Sequence, residues 1–386
     1  MPEESTSLAP SGLTVPAPWR SEPDASPGRP IANPRPEPRS FLVHVHRFRA
    51  LAILIIIAGH AVAVFQWREH VPLATFLLDL FENGTVLFVF ISGYLFQYLE
   101  RPETFRYRRF LWKKLRHVVL PYLIVSTPAV GHALLHYKLT SSYPQLKGTS
   151  LGYQALWLYV KGGAHLNYPL WFIPMITLYY LAAPLFIALT QHPRLQLIAL
   201  VLIPVSLLAH RPSYPNLDTV QLALYYLSAY VVGMYVSQRR DDLEPLLDEW
   251  CGWIGAGFIV LLLGHWWLSP YHGNYGASHI FSFERGLIDW LFLQKLVLAL
   301  FLLGLMYRVR SYALTALNAL ATLSFTIFFV HMYALHGVRV VTRGAPLEGN
   351  LWRWLAACIG TVAVSAAGAA LGRRVLGKRS RVLIGA

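Results

Sequence analysis

The sequence predicts an all-α integral membrane protein, a bundle of about ten transmembrane helices with a disordered N-terminal tail. Hydrophobic residues make up 55% of the 386 positions and charged residues 13%, which is about half the charged share of a soluble domain. The mean hydropathy is +0.44. Apolar runs of about twenty residues, the length that crosses a bilayer, recur along the chain. The predicted spans are 50–67, 84–99, 118–137, 169–189, 195–209, 220–236, 251–268, 287–306, 312–336 and 351–371, and the second is a candidate for a break at Ser92-Gly93.

Composition divides the chain into three parts. Residues 1–40 hold ten of the 25 prolines and almost no apolar periodicity, so they are predicted to be a disordered Pro-rich cytoplasmic tail. No apolar run precedes residue 50, which argues against a signal peptide. Residues 41–375 form the predicted membrane domain, and 376–386 a basic cytoplasmic tail.

Basic residues orient the predicted bundle. With a cytoplasmic N-terminus, 23 of the 33 lysines and arginines lie on the cytoplasmic side. This asymmetry predicts a multi-pass protein of the cytoplasmic (inner) membrane with both termini in the cytoplasm. The net charge of +14 comes from short clusters between apolar runs, so no nucleic-acid partner is expected. Cys251 and Cys358 lie in or beside apolar runs and indicate neither a disulfide framework nor a metal site.

Two outer loops are rich in aromatic and polar residues. Residues 138–168 and 269–285 carry Tyr, His, Asn and Gly, and in the predicted topology both face outward. Aromatic faces with polar edges suit a sugar. The alternative is an aromatic belt at the membrane interface.

The first apolar run carries two ionisable residues on one face. Arg49 and His60 are eleven residues apart, about 20° beyond three full turns, and about 16 Å apart along the axis. Arg47 points nearly the opposite way. An ionisable residue within the membrane is a functional candidate, although a structural, hydrogen-bonded histidine and an arginine that only signals topology remain open. The Arg49–His60 stripe, the face of this helix that carries both residues, would fit an extended acyl donor with its phosphates near the cytoplasm, such as a coenzyme A thioester.

Five segments in order resemble the acyltransferase 3 family of integral membrane acyltransferases, over about residues 45–370. They are "RALAILIIIAGH" (49–60), "VLFVFISGYLF" (86–96), "KKLRHVVLPYLI" (113–124), "YPLWFIPMITLYYLAAP" (168–184) and "LSFTIFFVHMYAL" (323–335). The resemblance implies transfer of an acyl group, commonly acetyl from acetyl-CoA, to sugar hydroxyls of envelope molecules. It implies that His60 is catalytic and that Arg49 is its partner in donor handling.

Further residues take roles within that hypothesis. The basic run from Arg106 to Arg116 is either a topology or lipid signal or a clamp for the 3′,5′-ADP end of coenzyme A. Glu82 would orient the catalytic imidazole, or it is simply solvated at the interface. His331 matches a family histidine and is an acceptor-side candidate, as is Trp171, which would stack on substrate or only pack. The donor-binding candidates are Arg49, Arg109, Lys113, Lys114 and Arg116.

The sequence therefore predicts a membrane O-acetyltransferase with His60 as general base, acting from acetyl-CoA on a saccharide of an exopolysaccharide or its lipid-linked repeat unit. A transient acetyl-histidine is a variant of this mechanism. No bound cofactor and no metal are expected. Membrane lipid surrounds the protein, and onward transfer would require other polysaccharide-assembly proteins. Two alternatives are a proton-coupled exporter of a polysaccharide intermediate and a structural envelope subunit. The absence of an evident internal sequence repeat argues against the exporter.

Overall fold

A computed structural model describes residues 40–136, 143–162, 168–191, 196–212, 218–274, 276–277, 279–282, 286–341, 345 and 347–385. The predicted N-terminal tail thus lies outside the described residues except for Ser40. From Leu42 onward the described residues form one compact unit.

The described chain is almost entirely helical, as predicted. Its one small sheet pairs β1 (Arg211–Pro212) in parallel with β2 (Gly276–Ala277), and a π-helical turn at Leu115–Val119 joins α4 to α5. The helices are α1 (Val43–Val62), α2 (Val71–Phe81), α3 (Thr85–Leu99), α4 (Tyr107–Lys114), α5 (Leu120–His136), α6 (Leu151–Lys161), α7 (Phe172–Leu181), α8 (Ala183–Gln191), α9 (Gln196–Leu208), α10 (Thr219–Gln238), α11 (Arg240–Glu249), α12 (Cys251–Leu268), α13 (Trp290–Arg308), α14 (Thr315–Val341), α15 (Leu351–Leu376) and α16 (Ser380–Leu383).

Eight helical segments of the described chain are long and apolar enough to cross a membrane. Three of them join shorter helices, α2 with α3, α4 with α5, and α15 with α16. The pair α7–α8, bent by 54°, makes a ninth. By length and composition the chain is therefore a multi-pass membrane protein, and α9 is too short to be counted on this basis, since it has only 13 residues.

Contacts at its two ends show that α9 nevertheless runs across the bundle. The Gln238 amide, where α10 ends, donates to the Thr190 carbonyl near the end of α8 (3.4 Å). At the far end of α9, the Leu207 carbonyl accepts from the backbone N–H of Asp289 (2.8 Å). The first contact is at the end of α10, and the end of α9 lies near the start of α10, where the Gln221 amide donates to the His210 carbonyl oxygen (2.8 Å). The chain therefore crosses once more between them. Eight spans, the bent pair and α9 together give the predicted number of about ten.

Side chains at the helix starts fix several boundaries. The carboxylates of Asp218 and Asp289 accept backbone N–H groups in the first turns of α10 and α13, and the Asn350 amide does so for α15. Each cap satisfies a donor that the helix cannot pair internally. All three mark helix starts that the hydrophobic pattern placed only approximately.

The predicted break at Ser92-Gly93 is wrong. Helix α3 is continuous there. The glycine serves instead to let α3 pack closely on α10, since a Cβ on Gly93 would lie 2.7 Å from the carbonyl carbon of Tyr230. Gly233 of α10 approaches α3 in the same way. The interruption lies instead at Glu82–Gly84, where Asn83 is left-handed (φ 58°). The second span thus begins at Val71, thirteen residues earlier than predicted.

Helix α1 also starts earlier than predicted, at Val43 instead of residue 50. His60 is therefore near the end of α1 and not at its middle. It lies beside the interruption between α2 and α3, since a Cβ on the neighbouring Gly59 would be 3.1 Å from the Phe81 carbonyl oxygen. With eleven residues in α2 and fifteen in α3, that interruption is near the middle of its own span.

Candidate active site

A pocket opens where α2 and α3 are interrupted. An interrupted helix leaves backbone groups unpaired, which is tolerated inside a membrane only where protein or a cavity receives them. The Asn83 side chain holds this interruption in place, because its Nδ2 donates to the Tyr225 hydroxyl (2.6 Å) and its Oδ1 accepts from the Tyr226 hydroxyl (2.7 Å). Both tyrosines are on α10, so the interruption is fixed to the helix that packs against α3.

The pocket brings together residues that are distant in sequence. His60, Glu82 and Trp171, three of the predicted site residues, lie in its wall together with Arg211. Its empty volume is about 370 Å³, including space open to solvent. The remaining lining residues are Ile56, Gly59, Phe81, Asn83, Gly84, Thr85, Pro169 and Phe328.

His60 and His331 form a stacked pair of imidazoles. Their ring centroids are 5.5 Å apart and the planes differ by 21°. The Nδ1 of His331 lies 2.8 Å from the Phe328 carbonyl oxygen, which can only accept, so Nδ1 carries the proton. The Nε2 of His331 is then an unprotonated acceptor, and it is buried without a hydrogen-bond partner among the described residues. The structure thus places the predicted acceptor-side histidine directly beside the predicted base.

Glu82 is not at a solvated interface, the alternative that the sequence left open. It is half-buried in the pocket wall and accepts a hydrogen bond from the Asn274 amide. Asn274 belongs to the outer loop 269–285, so part of that loop folds inward onto the site. A carboxylate in this position is able to orient or charge-balance an imidazole in the same pocket.

A fully buried ionic cluster adjoins the pocket. The Asp79 carboxylate contacts His272 Nδ1 (2.7 Å), the Gly273 N–H (2.8 Å) and His265 Nε2 (3.4 Å). The Lys295 ammonium donates to the Asp79 carbonyl oxygen (2.8 Å) and to the Gln294 side chain (3.0 Å). Asp79 and Lys295 are both 0% exposed. Buried polar groups are usually hydrogen-bonded, and these contacts fix loop 269–285 and α13 against α2.

A second polar chain links α13 to the pocket wall. The Tyr225 hydroxyl donates to the Asp289 carboxylate (2.6 Å) and accepts from Asn83. Burial raises the pKa of the Asp289 carboxyl above its ordinary value, while the hydrogen bonds from Tyr225 and the Phe292 N–H act in the opposite direction. Beyond Asn83 the chain continues to Tyr226, whose ring stacks on Trp171 (5.6 Å, 18°).

Trp171 packs within the site. It is 2% exposed, and its ring contacts Tyr226 on α10 and the Arg211 guanidinium, whose central carbon lies 4.8 Å from the ring centroid. These contacts favour packing over direct stacking on a sugar, the two roles left open by the sequence.

On the donor side, the two arginines of α1 differ as the helix geometry predicts. Arg47 is buried, and its guanidinium donates to the Asn318 side chain (2.8 Å) and to the carbonyl oxygens of Val309 (2.8 Å) and Tyr312 (2.6 Å). It holds the start of α1 to the connection between α13 and α14. Arg49 is half-buried on the other face of α1, and among the described residues no hydrogen bond or ion pair reaches its guanidinium.

The basic run lies on α4 and the π-helical turn, and none of its residues lines the His60 pocket. Arg109, Lys113 and Arg116 are exposed. Lys114 is partly buried, with its ammonium 4.9 Å from the ring centroid of Tyr180 and 5.3 Å from that of Phe110. Of the four donor-binding candidates in this run, three are therefore exposed cations and the fourth, Lys114, is bound to aromatic rings.

Sequence reasoning missed several residues of the site. Lys295 gave a readable signal, because a lone lysine inside an apolar span is a functional candidate. Asn83 also gave a signal, because Asn83-Gly84 is a turn dipeptide. Arg211 gave none, since it is a single polar residue in an irregular segment that only the tertiary fold brings to His60.

The fold and the site together define a membrane-embedded enzyme with an imidazole pair in a pocket at an interrupted helix. The model of the acyltransferase 3 family, described as an acyltransferase domain, matches residues 45–370. The chain belongs to this family and is a membrane acyltransferase, which confirms the resemblance seen in the five sequence segments. No curated protein and no solved structure gives a significant match to the chain.

Proposed function

We propose that the protein is a membrane O-acetyltransferase that moves an acetyl group from acetyl-CoA to a sugar hydroxyl of an exopolysaccharide or of its lipid-linked repeat unit. The observation that carries the proposal is the His60 pocket. An imidazole stacked on a second imidazole shares a small pocket with a carboxylate, a guanidinium and an interrupted helix.

His60 is the general base in this proposal. It takes the proton of the acceptor hydroxyl while the hydroxyl oxygen attacks the thioester carbonyl carbon. The carbon–sulfur bond then breaks, and the proton passes from His60 to the leaving thiolate, so that coenzyme A departs as its thiol. Glu82 stabilises the imidazolium that forms in between. The neighbouring His331, with its proton fixed on Nδ1, presents only an acceptor nitrogen. On the acceptor side it binds a second hydroxyl of the sugar, because His60 takes the proton of the attacking one.

Arg49 and the basic run handle the donor. Arg49 shares the His60 face of α1 about 16 Å nearer the helix start, and its guanidinium has no hydrogen bond or ion pair among the described residues. An extended acetyl-CoA fits this spacing with its acetyl end at His60 and its phosphates toward the basic residues. Those phosphate ligands are Arg109, Lys113, Lys114 and Arg116. Because coenzyme A is a cytoplasmic metabolite, this arrangement puts both chain termini in the cytoplasm and the protein in the cytoplasmic membrane.

Mass spectrometry of extracellular and lipid-linked glycans tests the proposal. Cells that carry the wild-type gene should show glycans heavier by one acetyl group than cells without it, and His60→Ala should restore the lighter mass. His70→Ala is the matched control, because His70 is exposed in the connection between α1 and α2. Acetylated glycan in cells with His60→Ala at wild-type protein levels would disprove the mechanism.

Export of a polysaccharide intermediate is the second candidate, and one observation favours it. Interrupted helices beside buried charges, as at Glu82–Gly84 and Lys295, are also the structural signs of transporters. The same glycan analysis separates the two. An exporter predicts that loss of the gene retains unmodified glycan inside the cell, whereas the acetyltransferase predicts that glycan still reaches the medium without its acetyl group.

A further inference from the structure

Arg211 is a cation in the His60 pocket to which the proposed chemistry has so far given no role. It lines the pocket together with His60 and Glu82. We propose that Arg211 binds the carbonyl oxygen of the acyl thioester and stabilises the negative charge that develops there during transfer. This inference rests on the proposed acetyl transfer.

The structure holds the Arg211 side chain in one place. Its backbone pairs with Gly276 in the two-stranded sheet, and the preceding His210 N–H donates to the Ile280 carbonyl oxygen (2.6 Å). Its guanidinium lies over the Trp171 ring, 4.8 Å from the centroid, and Trp171 is itself stacked on Tyr226. A hydrogen-bond donor that is already in position does not need to reorganise when charge appears on the substrate.

The guanidinium is also incompletely paired. The Nε of Arg211 is buried, and no acceptor lies within hydrogen-bond distance of it among the described residues. Glu82 shares the pocket, but within the described part of the chain it forms no ion pair with Arg211. Buried donors are usually satisfied, so an unpaired N–H in the wall of this pocket indicates that a ligand oxygen completes it.

The chemistry of the transfer supplies that oxygen. When the acceptor hydroxyl attacks, the electron pair of the carbonyl double bond moves onto the carbonyl oxygen, and His60 holds the hydroxyl proton. Arg211 donates hydrogen bonds to this oxyanion. As the carbonyl re-forms and the carbon–sulfur bond breaks, the charge leaves the oxygen and the thiolate takes the proton from His60. Arg211 stays protonated throughout and serves only as an electrostatic catalyst.

The test uses a probe that needs no acceptor. In the trifluoromethyl ketone analogue of acetyl-CoA, a thioether carries a trifluoroacetonyl group whose hydrate mimics the tetrahedral, charged carbon. Dissociation constants of this analogue and of coenzyme A are measured by calorimetry on the purified protein in nanodiscs. The wild-type protein should bind the analogue more tightly than coenzyme A. Arg211→Gln should weaken analogue binding by about 100-fold and leave coenzyme A binding unchanged.

Two further variants complete the experiment. Arg211→Lys keeps the charge but loses the planar fork, so its analogue affinity should fall between those of Arg211→Gln and the wild type. Arg310→Gln is the matched control, because Arg310 also lies over an aromatic ring, that of Tyr307 (3.8 Å), but is exposed and outside the pocket. It should bind both ligands like the wild type.

Each outcome decides the inference. Unchanged analogue affinity in both Arg211 variants would overturn it and leave acetyl transfer intact. Equal losses for the analogue and coenzyme A would also overturn it, because Arg211 would then be a donor-binding or structural residue. A wild-type protein that binds neither ligand would refute the proposed function, and the inference would fall with it.

Discussion

Gly93→Ala tests how the wall of the site is built. The added methyl carbon would lie 2.7 Å from the carbonyl carbon of Tyr230 and 3.0 Å from its Cα, both of them backbone atoms that cannot turn away. Ordinary contact begins near 3.4 Å, so α3 and α10 would have to separate by about 1 Å. Overpacking of this kind costs about 1–3 kcal/mol. The carbonyl oxygen of Tyr230 would be closer still, so the helices would have to separate by more than the carbon contacts alone require. The same shift would strain the Asn83 hydrogen bonds to α10, and with them the interruption that forms the pocket.

Thermal unfolding of the purified protein in detergent measures this cost. Gly131→Ala is the matched control, because Gly131 is also within a transmembrane helix but has no atom within 4 Å of the added methyl. Replacing a helical glycine at such a site should stabilise by about 0.5–1 kcal/mol. The two variants should therefore shift the melting temperature in opposite directions. Equal melting temperatures for Gly93→Ala and Gly131→Ala would refute the close α3–α10 packing.

Three further predictions follow from single side chains. Arg49→Ala should weaken acetyl-CoA binding with little loss of stability, whereas Arg47→Ala should lower the melting temperature and leave the acetyl-CoA affinity of the folded protein unchanged. Titrating acetyl-CoA against both variants checks this. Equal losses of affinity would contradict the inference that only Arg49 shares the His60 face of α1. Lys295→Met removes two buried hydrogen bonds, to the Asp79 carbonyl oxygen and the Gln294 side chain, and should destabilise the protein by about 1–3 kcal/mol. Thermal unfolding would report this as a lower melting temperature, and a melting temperature equal to that of the wild type would show that the ammonium is not buried as the structure has it. Gly162→Ala should reduce acetyl transfer without unfolding the protein, because a Cβ there would lie 2.8 Å from the Trp171 backbone nitrogen and would displace the Trp171 ring, which supports the pocket. Acetyl transfer assayed in vesicles at matched protein levels should show the loss. Full activity of this variant would contradict the prediction.

Much of the fold was accessible from the sequence because lipid imposes a simple rule. A segment of about twenty apolar residues in a bilayer must be helical, so the spans followed from composition. The Arg49–His60 stripe followed in the same way, since helical geometry fixes which residues share a face. The structure confirms the all-helical architecture, and the family match covers the segments that carried the resemblance.

The interior of the site was not accessible in this way. The Asn83-Gly84 pair is a turn signal, but it was interpreted as the start of a span at residue 84, and the candidate break was placed at Ser92-Gly93 instead. For Glu82 a solvated interface stayed open as the alternative to a site role, because no local pattern shows that Asn274 of a distant loop folds onto it. The position of Arg211 depends on a two-residue strand whose pairing has no sequence signal. Such features arise from tertiary contacts between residues far apart in the chain, which periodicity and composition do not encode.

Vesicles of defined orientation test whether the protein moves acetyl from cytoplasmic acetyl-CoA to the glycan. Radiolabelled acetyl-CoA is added to inverted vesicles, which expose the cytoplasmic face, and to right-side-out vesicles from the same cells. We expect labelled glycan in inverted vesicles with the wild-type protein, no label with His60→Ala, and none in right-side-out vesicles, because a polyanionic nucleotide does not cross lipid. Labelling with His60→Ala, or labelling confined to right-side-out vesicles, would contradict the role of His60 or the orientation of the donor path.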